Sequence, residues 1–450
     1  MNSSLLTAGA LLPPLAGLAA APRWWVALSG GLDSTVLLHL LVAARGIDPG
    51  LPPLAALHIN HQLQDAADDW QQHCRQLCRE LGVPLHCETV AVEPGGKGLE
   101  AAARDARHAA FERALGAGEV LFTAHHRDDQ VETFFLRLLR GAGVDGLGAM
   151  AATRPLGAGS LYRPLLEWPR DALEDYARRH GLRHVEDPSN ADTDLDRNFL
   201  RSQVLPLLAG RWPGYRDTVS RAAAHLREAS AQLRALTPEV PARRNAMGDR
   251  GLDLATLLAL PPALAGRVLR DWLAELGAAM APDQAALMEF LRQLAQAGEG
   301  GCPRFDAGGL SLQRYRDGVY VLPEFADRAP PAGLVLVPGE TLAVAGAGAL
   351  GLVPSSGVGL DLGPGEALSV RWRAGGERCR PLGRTGSRGL KKLLQEAGVP
   401  PWWRDRVPLL YLGGELLAVG DLWLCESSRL VRGGGAWQVR WQRNTPGSRD

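Results

Sequence analysis

The chain has 450 residues with 49 basic and 49 acidic side chains, so its formal net charge is zero. That balance excludes a polycationic nucleic-acid coat while leaving local basic surfaces open, and 46% apolar residues suffice for more than one core. Six scattered cysteines without a Cys-x-x-Cys pair speak against a zinc or iron–sulfur centre and for a reduced, cytoplasmic setting, and no segment is apolar for long enough to be expected to span a membrane.

Residues 5–21 are apolar, but they lack a basic leader and contain Pro13 and Pro14, so they read as a structured cap rather than a signal peptide. The apolar run of residues 24–28 leads into Ser29-Gly30-Gly31-Leu32-Asp33-Ser34 and then a helix beginning near Asp33, apolar through Val36, Leu37, Leu40 and Leu41. Further strands are predicted over 54–61, 84–92 and 119–124, and helices over 65–81, 99–115 and 129–139. Strands separated by helices of these lengths give an α/β domain with a parallel sheet covered on both faces. Ligands of such sheets sit beyond the C-terminal strand ends, where Ser29, His58, Asn60, His61, His125 and Asp129 would converge.

A helix is predicted over 165–181, followed by a polar, irregular stretch over 184–201. The amphipathic pattern over 219–236 predicts a long helix that carries the chain away from the first domain. Helices over 252–260, 263–276 and 281–297 and a hairpin over 310–321 make a small helical unit. The Gly-rich residues 343–365 read as short strands and turns, and the last domain is a small α+β unit. Three domains are expected, at 1–215, 216–330 and 331–450. The last opens with the basic cluster Arg371, Arg373, Arg378, Arg380, Arg384, Arg388, Lys391 and Lys392, near Trp372, Trp402 and Trp403. This reads either as a surface for RNA backbone or as a solvated face, with the tryptophans in a core.

Two stretches carry chemistry. The turn at 29–34 leaves backbone N–H groups pointing out of a helix N-terminus, where they and the helix dipole hold phosphate oxygens. Gly30 and Gly31 let a ligand approach the backbone. Ser29 and Ser34 add hydroxyls, and Asp33 suits a phosphate carrying Mg²⁺. Asp33 or Ser34 also reads locally as a helix cap. The second stretch is Ala124-His125-His126-Arg127-Asp128-Asp129-Gln130-Val131-Glu132-Thr133. Asp129 and Glu132 share a helix face and could hold Mg²⁺ or a cation, with His125 moving a proton.

The Ser-Gly-Gly-x-Asp-Ser turn resembles the pyrophosphate loop of the ATP pyrophosphatases that activate a substrate as its adenylate. Together with the second stretch it resembles the tRNA(Ile)-lysidine synthase family. Further pieces agree in order: His58-Ile59-Asn60-His61; Glu100-Ala101-Ala102-Ala103-Arg104-Asp105-Ala106-Arg107; Gly146-Leu147-Gly148-Ala149-Met150; Arg163-Pro164-Leu165-Leu166; Glu186-Asp187-Pro188-Ser189-Asn190; and Arg197-Asn198-Phe199-Leu200-Arg201. Gly375-Gly376-Glu377-Arg378 and Leu390-Lys391-Lys392-Leu393-Leu394-Gln395-Glu396 resemble that family's C-terminal domain. The likeness covers nearly the whole chain. It departs at Gln64, where the family often has Arg, and at His108, where it often has Tyr.

This resemblance implies an adenine nucleotide alpha hydrolase-like first domain that uses ATP and Mg²⁺. The implied reaction adenylates the wobble cytidine of tRNA(Ile) with a CAU anticodon and then joins free L-lysine to it, changing codon reading from AUG to AUA. Ser29, Gly30, Gly31, Leu32, Asp33 and Ser34 would seat the pyrophosphate part, with Asp33 reaching Mg²⁺. Arg104 and Arg107 would stabilise developing charge, and Lys97 could join them. Asp129 and Glu132 would hold the lysine ammonium, with His125 or a carboxylate accepting its proton. Asn190, Arg197 and Arg201 would hold the target nucleotide, and Arg378, Arg380, Lys391 and Lys392 would grip the tRNA body. A homodimer stays open. The rival readings are a tRNA 2-thiolase, disfavoured by the missing Cys-x-x-Cys, and a nucleotide-dependent RNA-binding protein without turnover.

Overall fold

A computed structural model describes residues 5–62, 66–92, 99–188, 192–278, 282–298, 300–324, 333–344, 348–433 and 435–443. The chain divides into two units, Met1–Ala235 and Leu236–Asp450. The first is built on β1 (Trp24–Ala27), β2 (Leu54–Asn60), β3 (Leu85–Thr89), β4 (Val120–Phe122), β5 (Thr153–Leu156) and β6 (Gly159–Tyr162), in the order β3-β2-β1-β4-β6-β5. β1 to β4 and β6 pair in parallel, and β5 runs antiparallel to β6. Its helices are α1 (Ala8–Ala16), α2 (Leu32–Ile47), α3 (Ala67–Leu81), α4 (Leu99–Ala114), α5 (Arg127–Leu139), the short α6 (Val144–Leu147), α7 (Arg170–His180), α8 (Asp196–Phe199), α9 (Leu205–Arg211) and α10 (Tyr215–Ala235).

Successive residues of a strand face opposite sides of the sheet, and β1 uses a tryptophan for each. Trp24 packs with Val26, Leu28 and the buried face of α2, whereas Trp25 packs with Leu57, Leu121, Leu161 and Phe111 of α4. The expected cap at the N-terminus is present: Leu6, Leu11 and Leu15 are fully buried in the core shared with α2. Each such burial contributes roughly 1.5–3 kcal/mol relative to an exposed side chain, so α1 is part of the fold.

The structure departs from the sequence reading in four places. The hairpin of β5 and β6 has no strong alternating pattern, since Pro155, Gly157 and Gly159 interrupt it. Pro155 pairs with Ser160 at a position where the backbone groups of β5 point to the open edge, as the Arg163 N–H bond to the Ala152 carbonyl fixes the register. The stretch over 184–201 is not wholly irregular, for α8 runs into a π-helical turn over Leu200–Val204. The long helix begins at Tyr215 and lies in the first compact unit, which runs to Ala235. Arg227 of α10 donates to the carbonyls of Gly148 and Met150 at 2.6 and 2.9 Å, and Asp217 pairs with Arg127 of α5.

The fourth change lies in the second unit. The segment read as helical also contains a five-stranded antiparallel sheet of β7 (Ala242–Arg244), β8 (Arg250–Asp253), β9 (Arg304–Ala307), β10 (Leu310–Tyr315) and β11 (Gly318–Val321), ordered β7-β8-β11-β10-β9. Three helices, α11 (Leu254–Ala259), α12 (Pro262–Glu275) and α13 (Gln284–Gln296), pack on it through Leu257, Leu269, Phe290 and Leu294. β7 is exposed along its length and three residues long, which leaves no apolar alternation to read.

Residues 333–443 form two further five-stranded sheets, and the expected strands within 343–365 are Gly348–Ser355, Val358–Asp361 and the end of Thr341–Val344. Trp403 lies in the core of this unit and Trp402 packs against it. Their indole N–H groups donate to the carboxylate of Asp249, which is wholly buried in the turn between β7 and β8. Asn245 donates to the same carboxylate at 2.8 Å. Burial raises the Asp249 pKa despite these donors. Cys379 and Cys425, expected to be reduced, are joined by a disulfide. Cys74 and Cys78 are buried thiols whose pKa burial pushes up to about 12. Among the described residues no helix is long and apolar enough to cross a membrane.

Candidate functional site

β1 delivers the turn at 29–34. Gly30 has φ +88°, and a Cβ there would lie 3.1 Å from Cys74 Sγ and 3.2 Å from Val185 Cγ2, so both the conformation and the space demand glycine. The Gly30 carbonyl accepts from the Val185 N–H at 3.0 Å. Gly31 caps α2 without any side-chain bond to the helix amides, which leaves the N-terminal N–H groups of Leu32 and its successors facing outward. Ser29 Oγ and Ser34 Oγ lie 3.1 Å apart, and Ser34 Oγ also takes the Ser29 N–H. This cradle fits phosphate oxygens. Asp33 has one buried oxygen, Oδ1, with no hydrogen-bond partner. Such an orphaned acceptor beside a phosphate cradle fits Mg²⁺ carried on the phosphates. Among the described residues no group of three or more His, Cys, Asp or Glu could hold a metal by itself.

α5 supplies the facing wall. Asp129 and Glu132 are buried and meet two arginines from the α8 region. Arg197 Nε and Nη2 lie 2.7 Å from Glu132 Oε2 and 2.6 Å from Asp129 Oδ1. Arg201 Nε lies 2.6 Å from Glu132 Oε1. Two carboxylates are thus balanced by two guanidiniums within one side-chain network. Burial works against the Asp129 charge, yet His126, Arg197, His125 and the His126 backbone N–H outweigh it and hold its pKa below the usual range.

The two adjacent histidines differ in kind. Burial lowers the His125 pKa to about 4, with Arg163, Arg197 and His126 acting the same way against Asp129, so its ring is neutral near pH 7. Its Nδ1 lies 3.0 Å from Thr123 Oγ1. His126, which sequence reasoning did not single out, is buried among three carboxylates: Nε2 is 3.7 Å from Asp33 Oδ2 and 3.5 Å from Asp129 Oδ2, and Nδ1 is 3.9 Å from Asp128 Oδ2. Burial alone would lower its pKa, but the nearby carboxylates of Asp33, Asp129 and Asp128 raise it. His126 therefore links the phosphate turn to the α5 carboxylates.

Of the remaining residues expected to converge, His58 points into the fold. Its Nδ1 lies 2.8 Å from the Leu28 carbonyl and 3.6 Å from Cys74 Sγ, tying β2 to β1. Asn60 holds the turn after β2 through Asp68 and the Gln62 N–H. His61 Nε2 takes a bond from Arg107 Nε at 3.3 Å, and burial together with Arg107 lowers its pKa to about 4. Arg104 is exposed and lines a cleft of about 360 Å³ with Leu136, Arg140, Asp194, Leu195 and Arg197. Asn190, Gln64 and Lys97 lie outside the described residues. Arg378, Arg380, Lys391 and Lys392 are exposed in the second unit, where Arg384 and Arg388 pair with Glu396.

The chain matches the PP-loop domain family over residues 9–208, the TilS substrate binding domain over 252–320 and the TilS substrate C-terminal domain over 368–441. The tRNA(Ile)-lysidine synthase of Alkalilimnicola ehrlichii is 46% identical over 423 residues, 91% of each chain. That of Pseudomonas aeruginosa is 44% identical over 451 residues, 97% of this chain and 98% of the relative. The Pseudomonas fluorescens protein of the same name is 43% identical over 430 residues, 94% of this chain and 93% of the relative. With a phosphate cradle, a carboxylate wall and such likeness end to end, the chain belongs to the tRNA(Ile)-lysidine synthase family.

Proposed function

We propose that this chain is an ATP-dependent ligase that forms a carbon–nitrogen bond on RNA, converting the wobble cytidine at position 34 of the CAU anticodon of tRNA(Ile) to lysidine. In the first step the cytosine O2 attacks the α-phosphorus of ATP and diphosphate leaves. In the second the amine of free L-lysine attacks C2, and the former O2 departs with AMP. The observation that carries this reading is the bridge from Asp33 through His126 to Asp129, which joins the phosphate cradle to the carboxylate wall.

The amides and hydroxyls of residues 29–34 would hold the departing diphosphate. Mg²⁺, when present, would neutralise phosphate charge beside Asp33. Arg104 and Arg107 would stabilise charge developing at the reacting phosphorus. Asp129 and Glu132 would bind the lysine ammonium, and because Arg197 and Arg201 already neutralise them, lysine entry requires those arginines to turn toward the nucleotide. Neutral His125, with Nδ1 engaged by Thr123, presents Nε2 as the proton acceptor when the ammonium becomes a nucleophile. The exposed cations Arg378, Arg380, Lys391 and Lys392 would contact the tRNA body.

The test is incubation with unmodified tRNA(Ile), ATP, Mg²⁺ and labelled lysine. The wild-type chain is expected to place label in the RNA and release AMP, and absence of both overturns the reading. Asp129→Asn should lower the rate of lysine incorporation by about 10²-fold or more. Intact adenylation and intact lysine transfer in that variant would remove Asp129 from the mechanism.

A further inference from the structure

Arg163 sits at the end of β6, only 8% exposed. Its Nη1 donates to the Ala151 carbonyl at 2.7 Å, but its Nε is buried without a hydrogen-bond partner. The register sets Arg154 of β5 opposite Leu161, which places Arg154 and Arg163 on the same face of the sheet. α4 covers that face, and His108 Nδ1 accepts from Arg154 Nη2 at 2.9 Å. From α5, Arg137 donates to the carbonyls of Gly146 and Ala149 at 2.7 and 2.8 Å. Arg104 of α4 lines a cleft with Leu136, Arg140, Asp194, Asp196 and Arg197.

The charges here do not balance. After burial, the neighbours that bring the Arg163 pKa down to about 10 are Arg154, Arg104 and Arg137. Arg104 also lowers Arg137 and Arg154, and Glu112 acts the other way at Arg154. His108 is kept neutral, its pKa lowered to about 4 by burial and by Arg154, Arg104, Arg107 and Arg163. Backbone carbonyls satisfy N–H donors but leave a buried cation without a counter-charge. Holding the loop at 146–151 does not need charge, since neutral Gln130 already binds Met150 through both its amide atoms at 2.8 Å. Half-buried guanidiniums that repel one another are stabilised by an anion.

The sheet order locates that anion. The phosphate turn follows β1, His125 follows β4, and the arginines gather at the end of β6. Neighbouring strands lie about 4.8 Å apart, so the ends of β1 and β6 are about 10 Å from each other, with the end of β4 that leads to His125 between them. We infer that Arg137, Arg154 and Arg163 form a seat for a backbone phosphodiester of the RNA strand that carries the target base, separate from the seat of the ATP phosphates. The inference rests on the RNA-modifying reading above. Its planar forks suit phosphate oxygens.

Binding of unmodified tRNA(Ile) to the full chain, measured across salt concentrations alongside ATP binding, tests it with Arg154→Gln and Arg154→Lys. The glutamine variant should weaken tRNA binding about tenfold and reduce the slope of log affinity against log salt by about 0.7–1. Lysine should restore most of the slope, and ATP affinity should stay at the wild-type value. A weakened ATP affinity with unaltered RNA binding would assign the arginines to the nucleotide and overturn the inference. An unaltered salt slope together with a lowered melting temperature would make them a loop clamp and overturn it as well. If the wild-type chain binds no tRNA, the parent reading fails first and this one falls with it.

Discussion

Gly30 and Gly31 look alike in the sequence and differ in the fold. Gly30 has φ +88° and two neighbours within 3.2 Å of a Cβ, whereas Gly31 has φ −71° and meets Ser29 Oγ at 3.6 Å. Gly30→Ala should cost about 1–3 kcal/mol of stability and raise the KM for ATP. Gly31→Ala should leave the melting temperature nearly unchanged, and equal effects from both variants would refute the geometric distinction. The residues of this turn were legible in the sequence because a short contiguous string makes the cradle. Asp129, Glu132 and His125 were legible for the same reason. Arg197 and Arg201 were singled out as RNA contacts, and their pairing with Asp129 and Glu132 was not foreseen. Arg137, Arg154 and Arg163 could not be assembled from sequence, since α5, β5 and β6 bring them together only on folding. His126 lay in view, hidden by its neighbour, because which of two adjacent histidines turns inward depends on how α5 meets the end of β4.

α5 works through successive residues that face different partners. Asp129 and Glu132 meet Arg197 and Arg201, while Asp128 meets Arg216 of α10 and the Arg170 N–H of α7. β1 to β4 and their helices were readable from apolar runs and helical spacing, as were α12 and α13, whereas β6 was not. β5, β7 and β9 were not, because their stability comes from pairing with neighbours rather than from an alternating face. Within the second unit the most exacting contact is Asp249, which accepts from Asn245, Trp402 and Trp403. Each buried donor left without its acceptor costs about 1–3 kcal/mol. Asp249→Ala should therefore destabilise that unit by roughly 3 kcal/mol or more, measured by denaturant unfolding followed through tryptophan emission, and Asp249→Asn should recover part of the loss. A neutral result for the alanine variant would show that water replaces the carboxylate.

Composition is uneven across the molecule in a way that its zero net charge conceals. All eleven histidines precede residue 226. Burial lowers the pKa of His39, His58, His61, His108 and His125, to about 4 for the last three, and only His126 is raised. A histidine whose folded pKa is depressed contributes stability that is complete above the unfolded value near 6.5 and is lost as pH falls toward the folded one. His126 acts in the opposite sense, but five groups outnumber one. Asp249, with its raised pKa, is stabilising when protonated and loses that contribution as pH rises through its folded value. Calorimetry should accordingly show the Met1–Ala235 unit melting earlier as pH drops from 7 to 5, with the Leu236–Asp450 unit much less affected. A fall confined to the second unit would contradict this assignment of the titrating groups.

Pro155 has a consequence for how the molecule behaves in a crowded solution. It occupies β5 where the backbone faces the open edge, so the outermost strand lacks an amide donor at the place where an incoming strand would seek one. A sheet that ends this way resists being lengthened by another chain. Self-association through a continuous ladder across β5 is thereby blocked, and protection against aggregation at that rim is written into a single imino acid.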